Sequence, residues 1–320
     1  MLPVRVVSRL AYRTLRRAGF DYDARMPDDR RQPPAASRAA AQRGTARRDV
    51  ARLRTGAGEH ERAPVADQVA EEVPVALRIN GRAFAVMMAT PCDLEDFALG
   101  FALTEALVDM PAQLIDVVLR PRLEGIELAL TVSADAPAAR LDDADAQRLL
   151  PGRSGCGLCG TRELEDAVRP PSPLQGKRAF AMDALERAFA ALPAHQPMNA
   201  ATGAVHAAAW ADANGRILLA REDVGRHNAL DKLVGALLRG GEALDDGMLL
   251  LTSRASYEMV AKAARAGIGF IAAISAPTAL AVDIARGSGV CLVGFARPGG
   301  CNAYAHPERL LPAAGAPHDD

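Results

Sequence analysis

Between Val205 and Phe295 the chain alternates short β-compatible apolar runs with amphipathic stretches, and this rhythm constrains the fold more than any other feature. The expected strands are Val205–Ala209, Ile217–Ala220, Met248–Thr252, Ile268–Ile274 and Val290–Phe295, with Asn214-Gly215 turning between the first two. The expected helices are Asn228–Leu238, Ser256–Arg265 and Thr278–Arg286. Such βαβ alternation predicts a layered α/β domain.

Upstream, Val73–Ile79 and Arg82–Met88 flank Asn80-Gly81. That dipeptide is the strongest short-range hairpin signal, because both turn positions require positive φ. Thr90 reads as an N-cap with Pro91 at the first helical position and Asp93 in the first turn. Leu94, Phe97, Ala98 and Phe101 then mark one face of a helix running to about Val108. Leu114–Leu119 and Ile126–Val132 are weaker strands. The fold class expected is therefore α/β: an α+β unit over 65–150, a Cys-x-x-Cys loop and linker over 151–172, and an α/β domain over 173–311, between tails at 1–64 and 312–320.

The first tail carries 15 of the 38 basic residues and 7 of the 39 acidic ones, a balance of +8 against −9 for the remainder. Arg- and Ala-rich, with Pro33-Pro34 and no apolar h-region, it reads as a disordered tail rather than a secretory signal or transit peptide. An acidic body argues against a nucleic-acid surface. The longest charge-free stretch, Arg265 to Asp283, contains Ser275, Pro277 and Thr278 and falls short of the ~20 apolar residues of a membrane span. Five cysteines are too sparse for a disulfide framework, so the expected compartment is reducing and cytoplasmic.

Only Cys156 and Cys159 lie close together, in Arg153-Ser-Gly-Cys-Gly-Leu-Cys-Gly160. Such a pair serves as half a zinc site, a redox couple or a reactive thiolate. No further ligands stand nearby, the closest histidine being His195, so no zinc is expected. A glycine-lined arm suits a nucleophilic thiolate, with Arg153 and Arg162 lowering its pKa; two structural cysteines are the plainer alternative.

Arg221-Glu-Asp-Val-Gly-Arg-His227-Asn228, followed by Asp231 and Lys232, joins a strand to a helix, where backbone N–H groups face anions. His227 and Asn228 are either ligands there or, with Asp223, members of an N-cap network. Thr252-Ser253-Arg254, Ser275 to Thr278 and the Phe295–Gly300 segment end the next three strands, and together they predict a crevice for a phosphorylated ligand. Neither Gly-x-Gly-x-x-Gly nor a P-loop is present. His206-Ala-Ala208 prompts a competing zinc deaminase-like reading, although Ala208 stands where such enzymes carry Glu, and the Cys pair precedes the histidine.

In order, Glu71-Glu-Val-Pro-Val-Ala-Leu-Arg-Ile-Asn-Gly81, Asp93-Leu-Glu-Asp-Phe-Ala-Leu-Gly-Phe101, Gly155-Cys-Gly-Leu-Cys-Gly160, the Arg221–Lys232 run, Thr252-Ser-Arg254 and Phe295–Gly300 resemble the FdhD family of formate dehydrogenase accessory sulfurtransferases over about Asp67 to Leu311. The resemblance implies a cytoplasmic, dimeric sulfur carrier with a cytidine deaminase-like fold. It would take persulfide sulfur from a cysteine desulfurase and pass it to the bis-molybdopterin guanine dinucleotide molybdenum cofactor destined for formate dehydrogenase. It further implies Cys156 as the persulfide carrier, Cys159 as its assistant, and Phe295, Ala296, Arg297, Pro298, Gly299 and Gly300 as cofactor-binding residues. His227, Asn228, Thr252, Ser253, Arg254, Ser275 and Thr278 are weaker candidates for that site. A non-catalytic cofactor chaperone is the remaining alternative. Two features depart from the family pattern: the basic tail lies outside it, and Cys301 adds a thiol after the Phe295–Gly300 segment.

Overall fold

The computed structural model describes residues 44–55, 60–140, 171–176 and 178–312. Regular structure starts earlier than the sequence suggests: β1 (Thr45–Thr55) and β2 (His60–Ala70) form an antiparallel ribbon pairing Thr45 with Ala70 and Thr55 with His60. The expected tail through residue 64 is corrected accordingly. Arg47, Arg48 and Arg52 are exposed, so an Arg-rich segment can be extended without burying charge. The base of the ribbon is held by the Glu71 N–H, which donates to the Gly44 carbonyl at 2.8 Å.

β3 (Val73–Ile79) and β4 (Arg82–Ala89) make the expected hairpin, with Asn80 at φ 47° and Gly81 at φ 83°. α1 (Leu94–Thr104), β5 (Leu114–Pro121) and β6 (Ile126–Val132) complete a four-stranded sheet in the order β4-β3-β6-β5. Its inner face, Val75, Leu77, Ile79, Leu128 and Leu130, packs on Phe97 and Phe101 of α1. Thr90 is not the N-cap: Asp93 takes that place at φ 53°, while the Thr90 hydroxyl accepts from the Val224 N–H at 3.1 Å. The helix also stops short of Val108. Ala106 turns at φ 55° and the Leu107 and Val108 N–H groups fold back onto the Ala102 carbonyl.

After β7 (Phe180–Ala181) come two helices absent from the sequence reading, α2 (Met182–Ala191) and the short α3 (Pro197–Thr202). The alternating region follows as β8 (His206–Ala211), β9 (Ile217–Asp223), α4 (Arg226–Gly240), β10 (Met248–Leu251), α5 (Tyr257–Arg265), β11 (Phe270–Ala273), α6 (Ala279–Ser288) and β12 (Cys291–Arg297). The chain then adds β13 (Gly300–Ala305) and β14 (Leu310–Leu311), also unforeseen. The six-stranded sheet runs β13-β12-β11-β10-β8-β9: β10, β11 and β12 are parallel, and β8 lies antiparallel to both β10 and β9.

Both faces of this sheet are covered, which is why its central strands read as continuous apolar runs. Leu249, Leu251, Ile271, Ala273 and Leu292 share a core with α4, α5 and α6. Met248, Leu250, Phe270, Ala272 and Val293 pack with Leu185 and Phe189 of α2. The first of these cores also contains the inner face of the β3–β6 sheet, so the two expected units differ in sheet but share one hydrophobic interior.

What joins them is the packing of α1 on α4. A Cβ added at Gly100 would land on the Asp231 carbonyl, and one added at Gly235 on the Asp96 carbonyl. Two glycines facing each other's backbone allow the helices to approach closer than any side chain permits.

Candidate functional site

The carboxyl ends of β10, β11 and β12, the end of β9 and the start of β8 converge on one edge of the six-stranded sheet. Strand register puts His206 opposite Asp223 and Leu251 beside both Ala208 and Ala273. The Ile274 N–H donates to the Leu251 carbonyl (3.0 Å), Thr278 to Ala255 (3.1 Å) and Phe295 to Ser275 (3.2 Å), so the three strand-end loops are laced together. The junctions singled out in the sequence thus share one edge, as expected of a ligand crevice in an open α/β sheet.

Several of the expected ligands spend their side chains inside the fold. The Thr252 hydroxyl bonds the Ala207 N–H (2.8 Å) and lies 3.3 Å from its carbonyl, and the Thr278 hydroxyl caps α6 by accepting from the Ala281 N–H at 3.3 Å. The Ser253 hydroxyl donates to the Arg254 carbonyl at 3.1 Å. Asn228 donates to the Met88 carbonyl (2.8 Å) and to Asp223 Oδ1 (3.0 Å), so it bonds Asp223 without capping the helix. His227 is no part of that pair. Arg254 is exposed and Ser275 half-buried at the same edge.

The run Arg221 to Lys232 is largely a weld between the two sheets. Arg221 donates from Nε and Nη2 to Asp96 Oδ2 on α1 at 3.0 and 2.8 Å. Glu222 accepts from the Met198 and Asn199 N–H groups, capping α3; burial still raises its pKa. Asp223 takes Lys232 Nζ at 2.6 Å and the Thr90 N–H at 3.0 Å. Asp231 meets Lys262 Nζ at 2.9 Å and the Thr104 hydroxyl at 2.7 Å. Charges that resemble a binding motif in sequence are therefore buried partners within the fold, and Arg221, Asp223 and Asp231 each reach a residue more than a hundred positions away.

Arg226, His227, His206 and Glu258 gather at this edge. Gly225 opens α4 without a side-chain cap, and Arg226 Nε and His227 Nε2 are buried without hydrogen-bond partners. His227 Nε2 stands 3.8 Å from Glu258 Oε2, which receives the Ser256 hydroxyl at 2.7 Å. Burial would raise Glu258, but the neighbouring imidazole and hydroxyl hold it below the usual carboxylate range. His206, half-buried beside them, is pushed below its ordinary 6.5 by burial first and then by Arg226 and His227. Arg226 Nε, left without a partner at the N-terminus of a fifteen-residue helix, suits an anion. Sequence reasoning missed Arg226, Ser256 and Glu258; the Arg-His pair behind a junction glycine was the available signal.

The Phe295–Gly300 segment is corrected from an open loop to a hairpin. Phe295, Ala296 and Arg297 belong to β12, Arg297 pairs with Gly300, and Pro298-Gly299 turns the chain with Gly299 at φ 95°. A bulge leaves Phe295 exposed at φ 52°. Side chains added at Gly299 or Gly300 would meet nothing within 4 Å, so both backbones are open to a large ligand.

Cys156 and Cys159 lie outside the described residues. The other three cysteines make poor nucleophiles. Cys92 is buried, burial pushes the Cys291 thiol up to about 12, and burial followed by Glu186 raises Cys301, which lies between α2 and the Arg297–Gly300 pair. Ala208, where the deaminase-like reading needs Glu, is fully buried within β8.

Fold and edge together define an α/β protein built on a four-stranded and a six-stranded sheet, with its strand-end junctions gathered at the carboxyl ends of the parallel strands. A model of the FdhD/NarQ family matches residues 70–311. The chain is 53% identical over 267 residues to the "Sulfur carrier protein FdhD" of Xanthomonas campestris pv. campestris, covering 83% of this chain and 92% of that protein. To the protein of the same description from Cupriavidus necator it is 52% identical over 244 residues, covering 76% and 84%. A crystal structure of a putative formate dehydrogenase accessory protein from Desulfotalea psychrophila superposes with TM-score 0.65 at 25% identity, covering 83% of this chain and 99% of that one. The chain belongs to the FdhD/NarQ family.

Proposed function

We propose that this protein is a cytoplasmic, homodimeric sulfur carrier for formate dehydrogenase. It accepts sulfur from a cysteine desulfurase on Cys156 and delivers it to the bis-molybdopterin guanine dinucleotide molybdenum cofactor. The observation that carries this reading is the 53% identity to sulfur carrier proteins over most of both chains. It is supported by the unpartnered Arg226 Nε at the α4 N-terminus and by the unsuitability of Cys92, Cys291 and Cys301.

The Cys156 thiolate attacks the outer sulfur of the donor's persulfide. The donor's S–S bond breaks, a new one forms on Cys156, and the donor leaves as a thiolate. Once the cofactor is bound, attack by Cys159 on the inner sulfur expels hydrosulfide to the cofactor and closes a Cys156–Cys159 disulfide, which an external thiol reduces before the next cycle; when Cys159 is absent an external thiol makes that attack instead. The cofactor is bound as substrate, its pyrophosphates against the α4 N-terminus, Arg226, His227 and the Gly299-Gly300 backbone. Activation of formate dehydrogenase should be lost in Cys156→Ala and only reduced in Cys159→Ala. Full activation by Cys156→Ala overturns the assignment.

Two further outcomes concern the crevice. Gly299→Val and Gly300→Val should weaken guanosine diphosphate binding about tenfold or more, because valine strains a positive φ and crowds the approach, while sulfur loading persists. Arg297→Ala should weaken binding as well, most at low ionic strength. A depressed His206 pKa means the imidazole is neutral above 6.5 and gains charge as pH falls below it. Nucleotide affinity should rise severalfold over that descent, and His206→Gln should flatten the profile. Calorimetry across pH 5 to 8 checks both, and an unchanged affinity in every variant contradicts the placement.

A further inference from the structure

A second concavity lies at the opposite edge of the six-stranded sheet, beside the amino ends of β10 and β11. It encloses about 350 Å³ between Leu174, Gln175, Gly176, Leu244, Asp245, Gly267, Gly269 and Arg309. Arg309 is 5% exposed, yet no carboxylate pairs with it among the described residues. Its Nε donates to the Arg178 carbonyl at 2.9 Å and its Nη1 to the Gly289 carbonyl at 2.8 Å, which fixes the plane of the guanidinium. Nη2 looks toward Gly269, where a Cβ would stand 3.0 Å away; the missing side chain keeps that approach open.

The charge is poorly compensated. Burial lowers the Arg309 pKa, opposed by Cys291 and Glu308. Cys291 stays a neutral thiol in its apolar surroundings, and Glu308 is 68% exposed and bonded to His306 at 3.2 Å. A buried, oriented guanidinium open to a cavity wants a carboxylate. On the same wall Asp245 is exposed and makes no ion pair among the described residues, since the neighbouring Asp246 is the partner of Arg178. Leu174 and Leu244 supply the apolar lining. One cation, one anion and two leucines around a volume at the small end of ligand sites match a zwitterion with an apolar side chain.

We propose that this cavity binds a free apolar α-amino acid, its carboxylate on Arg309, its ammonium toward Asp245 and its side chain against Leu174 and Leu244. The site is separate from the edge at the carboxyl strand ends, and its occupancy is read without any sulfur transfer. Calorimetry on the full chain with L-leucine should show saturable binding at least tenfold tighter than acetate. Asp245→Asn should weaken L-leucine about tenfold and leave acetate unchanged. Arg309→Gln should abolish both. Should that variant fail to fold, Gly269→Val, which closes the approach to Nη2, should abolish both with guanosine diphosphate binding retained. Absence of saturable L-leucine binding, equal binding by the Asp245 variant, or tighter binding of inorganic phosphate than of L-leucine overturns the proposal.

Discussion

Lys232→Met should destabilise the protein by about 3–5 kcal/mol, because it leaves Asp223 buried with its cation gone. Both side chains are fully buried and 2.6 Å apart, and Lys232 also donates to the Thr90 carbonyl at 3.0 Å. That lysine ties three segments together: the end of β9, the α1 entry loop and α4. Burial opposes its charge, but Asp223 and the neighbouring Cys92 and Asp93 more than offset this and raise its pKa above the ordinary 10.5. A raised lysine pKa contributes stability that is complete below 10.5 and is lost as pH rises through the higher folded value. The pair's contribution should therefore be flat through neutral pH and fail only in strong alkali. Adding Asp223→Asn to Lys232→Met should recover part of the loss, because the stranded charge is removed. Denaturant titrations of the two single variants and the double variant measure this, and strict additivity contradicts the pairing.

The α1–α4 crossing gives the second large effect. Gly235→Ala and Gly100→Ala each place a methyl group on a carbonyl of the opposite helix, and backbone cannot step aside as a flexible side chain would. A loss of about 3 kcal/mol or more is expected for either, although alanine is the better helix former by about 1 kcal/mol. At this chain length each kcal/mol lowers Tm by roughly 2–4 °C. Gly287→Ala in α6, where nothing lies within 4 Å of the added Cβ, is the control and should be neutral or slightly stabilising. Equal melting temperatures for all three variants would contradict the close crossing.

These two effects mark where sequence reading succeeds and where it stops. The central strands were legible because burial on both faces demands unbroken apolar runs such as Met248–Leu251. The β3–β4 hairpin was legible because Asn80-Gly81 meets a steric demand at the turn itself. β1, β2 and β13 were not. Among the described side chains of β1 most are exposed, so that strand reads as a basic tail, while β2 and β13 bury few side chains fully and carry no clean alternation of apolar and polar residues. α2 carried a usable signal in Leu185, Ala188 and Phe189 that the Pro-rich break before it obscured.

At the candidate site the strand-end positions were found, but the division of labour was not. Glu222, Asp223, Asp231 and Lys232 look like a binding run until their partners on α1, α3 and α5 are known, and distant pairing leaves no trace in one sequence. Arg226 remains after those partners are subtracted, because its buried Nε has no hydrogen-bond partner, while His227 faces Glu258.

The central claim is that a thiol of the Cys156–Cys159 arm carries sulfur. Intact-protein mass spectrometry after incubation with a cysteine desulfurase and cysteine tests it most directly. Wild type and Cys159→Ala should each gain the mass of one sulfur atom, removable by a reductant, and Cys156→Ala should gain none. Equal loading of Cys156→Ala and wild type, or loading that follows Cys301 instead, would contradict the account.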